Sequence, residues 1–246
     1  MRNPIIFSVI IPAYNEEKYV GRCVKSVKTA ERFFGRKCAE IIVVADRCTD
    51  STEIAAQNAG ARVIVNNDKG ISKVRNAGVA AAKGKIIVTI DADSLMHRNA
   101  LVEIYKRLKS GRYIGGGAPS VFERNSLGIT MSSAMVAFNL IKTIHRNGLL
   151  LGAMFWCMKK DFAQIGGFDE ALVSVEDIDF AVKLKNFGKK LGKKYGLLWN
   201  SPVTTSARKF DEFGDWYLFK NPKLVKRIFS GRDTKAADEF YYEVKR

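Results

Sequence analysis

Eleven residues, Lys85 to Leu95, read KIIVTIDADSL, and they limit what this chain can fold into more than any other stretch. Ile86 to Ile90 is β-branched throughout and follows the breaker Gly84, which predicts a central strand buried on both faces. A buried strand carries no charge, so Asp91 and Asp93 fall where it emerges. Ligands of open α/β sheets bind at the carboxyl ends of the strands. Residues two apart in extended chain point the same way, so both carboxylates can face one cleft and bind a hard divalent cation through oxygen. The same residues also suit a plain Asp-rich turn leading to a helix. The rest of the chain decides between the two.

Upstream, the pattern alternates. Ile5 to Ile11 reads as a strand stopped by Pro12, which delivers Ala13, Tyr14, Asn15, Glu16 and Glu17 to the sheet edge. Glu16 to Phe34 reads as a helix with Val20, Val24 and Val27 on one stripe. Glu40 to Ala45 is a second strand, ending in Asp46, and Thr49, Asp50 and Ser51 suit the cap of a helix over Glu53 to Ala59 that Gly60 ends. Ala61 to Asn66 is a third strand, and Gly70 to Ala82 a helix with Ile71, Val74, Gly78 and Ala81 inward. Ser72, Lys73, Arg75 and Asn76 lie in its first turns, a fair anion site or a solvated basic turn. Strand and helix in turn, with polar residues after each strand, imply a doubly wound, mainly parallel sheet.

Composition narrows the partners. The 246 residues suit one large α/β domain, and the formal charge of +16 is spread along the chain, about +9 from residues 1–120 and +7 from the rest. A basic surface favours a polyanion, an anionic membrane face or phosphate-bearing small molecules. Cys23, Cys38, Cys48 and Cys157 form no C-x-x-C pair, which argues against a zinc site or a disulfide framework and for a reducing, cytoplasmic setting. The first apolar run ends in Pro12 and acidic residues rather than a small-residue cleavage site, and no stretch approaches the ~20 apolar residues of a spanning helix. His97 and His145 have no ligand-like spacing and read as structural or surface residues.

Four segments in order carry a resemblance: Ser8 to Glu16 (SVIIPAYNE), Val43 to Asp46 with Thr49 to Thr52, Val74 to Gly78 (VRNAG), and Asp91-Ala92-Asp93. Together they resemble the nucleotide-sugar half of a family 2 glycosyltransferase of GT-A fold. The resemblance implies an α/β, Rossmann-like, mixed but mainly parallel sheet flanked by helices, followed by an acceptor-side portion. It also implies that Pro12, Tyr14, Asn15 and Glu16 line the nucleotide pocket, that Asp46 hydrogen-bonds the base, that Arg75 sits near the diphosphate and Asp91 near the ribose, and that Asp93 holds Mg²⁺ or Mn²⁺, with Asp91 a second candidate ligand.

Beyond an Arg98 to Leu108 helix, Tyr113 to Ser120 (YIGGGAPS) reads as a strand bringing backbone close to a ligand at Gly115, Gly116 and Gly117. It lacks the G-x-G-x-x-G order of a dinucleotide fingerprint. Asn125 to Asn147 is a long helical pattern for the core or a membrane interface, and Gly152 to Met158 a strand. Then come GGFDE (Gly166 to Glu170) and Glu176-Asp177-Ile178-Asp179, at the start of a helix with Phe180, Leu184 and Phe187 on one face. Acidic residues suit a helix N-terminus for that reason alone. In the resembling family the same pair is acceptor-side machinery, so Asp177 is the candidate base, flanked by Glu176 and Asp179.

No Q-x-x-R-W motif follows, which favours a single transfer over processive synthesis, and no histidine follows the acidic cluster to complete a metal site. Lys183 through Lys209 and the Trp216 to Arg227 stretch mix cations with aromatics, as a solvated basic face or an anionic bilayer surface would require. The expectation is one domain over 1–246: a nucleotide-sugar half to about 120, an acceptor half to about 210, and a basic helical extension over 211–246. Its function would be inverting, metal-dependent transfer of a sugar from a UDP- or GDP-sugar to a hydroxyl or phosphate-bearing acceptor, membrane- or lipid-linked in one variant. The rivals are a nucleic-acid or polyanion binder, disfavoured because no such motif is present and the acids cluster at strand ends, and an inactive GT-A binding domain. A haloacid-dehalogenase-like phosphatase is opposed by the position of D-x-D, after the fourth strand rather than the first.

Overall fold

The structure, a computed structural model, describes residues 4–139, 153–230 and 233–235. Its first half runs β1 (Phe7–Ala13), α1 (Val20–Phe34), β2 (Ala39–Asp46), α2 (Thr52–Asn58), β3 (Arg62–Asn66), α3 (Ile71–Ala80), β4 (Ile86–Ile90), β5 (Ser94–Leu95) and α4 (Ala100–Lys109). There follow β6 (Tyr113–Ala118), β7 (Ser120–Phe122), α5 (Leu127–Asn139), β8 (Met154–Met158), α6 (Lys159–Gln164), α7 (Glu176–Lys190), β9 (Lys194–Leu197) and β10 (Val203–Thr205). Short helices α8 (Arg208–Phe213), α9 (Tyr217–Lys220) and α10 (Pro222–Ile228) complete the described chain.

Seven strands form one sheet in the order β3-β2-β1-β4-β8-β6-β9. The β3-β2-β1-β4 portion is parallel, β8 runs antiparallel to both β4 and β6, and β9 returns parallel to β6. All five residues of β4 are buried, as a strand covered on both faces requires. Alternation sorts the side chains by face. Phe7, Val9 and Ile11 of β1 meet Val20, Val24 and Val27 of α1 and Leu101 and Ile104 of α4. Ile10 of β1 and Ile87 of β4 meet Val74 of α3 and Phe180 and Leu184 of α7 on the other. Each large side chain so buried contributes about 1.5–3 kcal/mol. On the α7 face Phe168 stacks on Phe180 with ring centres 4.4 Å apart.

Small residues set the closest approaches. A Cβ at Gly78 would lie 2.3 Å from Ile10 Cγ2, so α3 is pressed onto the sheet as its composition predicts. The glycines of β6 serve a different end from the ligand contact expected of them. A Cβ at Gly116 would lie 1.7 Å from the carbonyl oxygen of Gly196, and one at Gly115 2.4 Å from that of Trp156, so the run clears space for the neighbouring strands.

Two boundaries also differ from expectation. Pro12 does not stop β1, which continues to Ala13 opposite Ala45. Pairing with β4 ends at Ile10, so Pro12 lies where β1 is paired on one side only and a missing N–H is tolerated. Helix α1 starts at Val20 rather than Glu16, because the Glu16 carbonyl is taken by a tight turn from Tyr19 N (3.0 Å) and Val20 N (2.9 Å). Of the long pattern over 125–147, α5 covers Leu127 to Asn139; Lys142, His145 and Arg146 lie outside the described residues.

A second sheet, in the order β5-β10-β7, positions the site. Strand β5 follows Asp93 directly and pairs antiparallel with β10, Thr204 opposite Leu95, while β10 runs parallel to β7. Ser94 Oγ donates to Thr205 Oγ1 at 3.1 Å and Ser206 N to the Asp93 carbonyl at 3.1 Å. The last third of the described chain is thereby brought against the D-x-D segment.

Candidate active site

The tips of β1 and β2 are laced together. Asn15, in the left-handed conformation (φ 52°) that asparagine tolerates, accepts from Thr49 N at 2.8 Å. Glu16 N donates to Thr52 Oγ1 at 2.7 Å, Glu17 N to Asp50 Oδ2 at 3.1 Å, and Ser51 N to Glu17 Oε2 at 3.0 Å. Asn15 thus works as a clasp and does not line the cavity, whereas Pro12, Tyr14 and Glu16 do. Asp46 also faces the cavity, with Arg47 Nε 2.8 Å from its Oδ1 and the Arg47 guanidinium 5.6 Å from the Tyr14 ring centre.

From β4, Asp91 and Asp93 reach the same cavity, of about 480 Å³. Each meets an arginine. Buried Arg75, held on α3, donates from Nη2 to Asp91 Oδ1 at 2.9 Å and from Nη1 to Glu176 Oε1 at 2.5 Å, with the Phe168 ring centre 5.2 Å away. This one guanidinium joins the strand-end carboxylate to the first turn of α7. Burial raises the Asp91 carboxyl above its usual range; Arg75 counters that and Asp93 adds to it. Arg208, at the start of α8, grips Glu16 with both terminal nitrogens at 2.6 Å and lies 3.0 Å from Asp93 Oδ2. Burial works against its charge, and Glu16 with Asp93 outweighs it, so its pKa is raised.

The acidic residues expected on the acceptor side lie at the start of α7. Val175, the residue before it, is β-branched yet has φ 57°, strain of the order of 1–2 kcal/mol that such residues carry where a site demands it. Val175, Glu176, Asp177 and Ile178 all line the cavity. Burial, then the Glu176 carboxylate, push Asp177 up to about 7, with Arg75 pulling the other way. Asp179 stands apart from the cavity lining and pairs with Lys183 at 2.7 Å, one helical turn on.

Nine of the eleven residues expected at the site, all except Asn15 and Asp179, thus line one cavity. Reasoning from sequence missed Arg208, which it counted with a basic run facing solvent or an anionic bilayer although its side chain is only 12% exposed. It also missed Lys209, Thr205, Ser120 and an apolar wall of Ile71, Val136, Val173 and Phe229. The one signal for Arg208 was its place just after a short β-branched run, Val203 to Thr205.

Among the described residues no three His, Cys, Asp or Glu side chains are grouped to hold a metal ion. Yet Glu16 Oε1 and Asp93 Oδ2 both approach Arg208 Nη2, at 2.6 and 3.0 Å, an arrangement that attracts positive charge. This fits a Mg²⁺-like cation held by one or two carboxylates and shared with the phosphates of a ligand, rather than one enclosed by protein alone.

Comparison with known proteins agrees with this geometry. The chain is 27% identical over 195 residues to poly(ribitol-phosphate) β-N-acetylglucosaminyltransferase TarS of Staphylococcus aureus, an alignment covering 72% of this chain; it spans only 32% of that relative's length. Glucosyl-3-phosphoglycerate synthase of Mycobacterium tuberculosis, solved with Mn²⁺, UDP and phosphoglyceric acid, superposes with a TM-score of 0.62 at 20% identity, covering 93% of this chain and 78% of that one. S. aureus TarS 1–349 in complex with UDP gives 0.63 at 19% identity, covering 98% and 70%. At these identities the superpositions establish the fold, which is GT-A. The model of the family described as glycosyl transferase family 2 matches residues 8–162, more than half the chain, and on that match the protein belongs to this family.

Proposed function

We propose that this protein transfers a single sugar, with inversion, from a nucleotide-diphosphate sugar to the hydroxyl of a phosphate-bearing or lipid-linked acceptor. One observation carries the reading: Arg75 ties Asp91, at the donor end, to Glu176, whose neighbour Asp177 has a proton affinity near neutrality. A displacement needs both ends in one cavity.

Asp177 accepts the proton of the acceptor hydroxyl while that oxygen forms a bond to the anomeric carbon and the bond to the diphosphate breaks. The proton ends on Asp177 and the electron pair on the leaving diphosphate. Arg75, held by two carboxylates, presents fixed positive charge near that diphosphate. A divalent cation, Mg²⁺ or Mn²⁺, on Asp93 with Asp91 as second candidate, would neutralise the leaving group. Asp46 and Tyr14, at the tips of β2 and β1, line the end of the cavity suited to the base.

Phosphate compounds figure in the names of both relatives, which supports an acceptor of that class. No described helix is long and apolar enough to cross a membrane. Trp216 and Phe219 are exposed close in sequence to Lys220, Lys223 and Arg227, and α5, which carries exposed Leu127 and Phe138, packs on α9 and α10, which supports contact with an anionic bilayer surface.

Calorimetric titration with UDP and with GDP, each with Mn²⁺ and with chelator, tests the donor half. The expected outcome is binding of one nucleotide that chelator weakens; binding of neither would remove the proposal. Flotation with anionic vesicles at low salt tests the surface, and protein left wholly in the bottom fraction would dismiss it.

A further inference from the structure

Points where carboxylate oxygens meet draw cations, and here one is filled by the protein itself. Glu16 Oε1 and Asp93 Oδ2 lie 2.6 and 3.0 Å from the same nitrogen, Arg208 Nη2. The guanidinium is not shared evenly. Glu16 takes both terminal nitrogens in a hydrogen-bonded fork, each at 2.6 Å, whereas Asp93 acts on the guanidinium by charge, as an ion pair at 3.0 Å. The Tyr19 ring, its centre 4.9 Å from the guanidinium carbon, adds a cation–π hold on the same side chain. Buried Nε makes no hydrogen bond, so the arginine is held through its terminal nitrogens. Arg208 can therefore release Asp93 and stay moored to Glu16.

We infer that Arg208 is a built-in counterion for Asp93, which competes with a divalent cation and makes that cation enter together with the nucleotide diphosphate rather than before it. The inference rests on the reading that this cavity takes such a nucleotide. A cation arriving alone must take Asp93 from a guanidinium and then sit beside its positive charge, in a place where burial weakens screening. A diphosphate changes the balance. Its oxygens offer Arg208 a new partner for the one it loses, and they supply the ligands that the protein lacks. Arg208 is then a positioning residue: Glu16 keeps it at the donor end before and after the exchange. The absence of a downstream histidine takes on meaning here, because the segment that comes back against Asp93 brings a cation instead of a ligand.

The test follows free Mn²⁺ by its paramagnetic resonance signal, for the full chain and its Arg208→Gln and Arg208→Lys variants, with and without UDP. The native chain is expected to bind Mn²⁺ weakly alone and more tightly with UDP. Arg208→Gln should bind Mn²⁺ alone on the order of tenfold tighter than the native chain, because two carboxylates lose their resident positive charge. Arg208→Lys should resemble the native chain. Damage to the fold would not tighten metal binding, so Mn²⁺ affinity in Arg208→Gln equal to or below native overturns the inference. Should that variant not fold, Asp93→Asn replaces it: UDP-dependent Mn²⁺ binding is expected to vanish, and its persistence overturns the inference equally. Failure of the native chain to bind Mn²⁺ even with UDP would instead strike the donor reading, leaving the Arg208→Gln comparison without UDP to judge the counterion.

Discussion

Two arginines bridge carboxylates in this cavity, and they are built differently. Arg75 gives one nitrogen to Asp91 and another to Glu176, from a helix pressed on the sheet, with an aromatic ring beside it. Arg208 gives both terminal nitrogens to Glu16 and reaches Asp93 from the start of a six-residue helix. The first joins the end of the cavity proposed for the donor to the end proposed for the acceptor, while the second links residues of the proposed donor end alone. The contrast teaches that fixed charge and exchangeable charge can share one site, provided each is mounted accordingly.

The sharpest way to separate the two sides is Asp177→Asn. It removes the proton acceptor on the Arg75 side and leaves the Arg208 side whole. Transfer should fall by about 10²–10⁴, the usual loss for a missing general base, with nucleotide affinity unchanged. Full turnover in the variant, measured by nucleotide release with acceptor present, would end the role given to Asp177.

Stability distinguishes the mountings next. Arg75→Gln strands buried Glu176 without its partner, while Asp91 is half-exposed, and should cost about 3–5 kcal/mol in urea unfolding. Arg208→Gln should cost less, because Mn²⁺ can replace the missing charge, and adding Mn²⁺ should restore part of the loss. Equal losses, both indifferent to Mn²⁺, would erase the distinction.

The smallest expected effect is on pH. With Asp177 at about 7 in the folded protein, transfer should rise with pH through that value as the carboxylate forms. For stability the sign is opposite. Between the unfolded pKa of about 4 and the folded value of about 7, the native state holds a proton that the unfolded chain has lost. Stability from this group is therefore present below pH 4 and falls as pH rises to about 7. Arg75 favours the carboxylate form of Asp177, so the acid limb of the residual activity should move up in Arg75→Gln. It should stay in place in Arg208→Gln; movement in both would mean that the two arginines act on Asp177 alike.

How much of this was legible in the sequence follows the same division. The parallel sheet, β4 and the place of Asp91 and Asp93 at its carboxyl edge were readable, because each rests on local pattern plus one topological rule, whereas Asp46 and Arg75 were brought to the same cavity only by the family resemblance. Arg208 was not. Its partnership with Glu16 spans 192 residues and depends on a two-residue strand and a three-residue strand pairing, too short to register as a pattern. The glycines of β6 misled for a related reason: their close neighbours are Trp156 and Gly196, and a glycine signals close approach without saying to what. Asp179 misled through sheer proximity to Asp177, since two residues along a helix is the wrong side of the cylinder.

The contact of Gly78 with the sheet also governs time. A helix whose small residue sits that close to Ile10 cannot roll without unpacking the strand beneath it, so the backbone that carries Arg75, three residues before it, relocates only when a large part of the core opens. Arg208 hangs from short strands and a turn and a half of helix, whose rearrangements belong to loops, in nanoseconds to microseconds. One end of the cavity keeps its shape for as long as the protein stays folded, and the other can rearrange within the lifetime of a single ligand encounter.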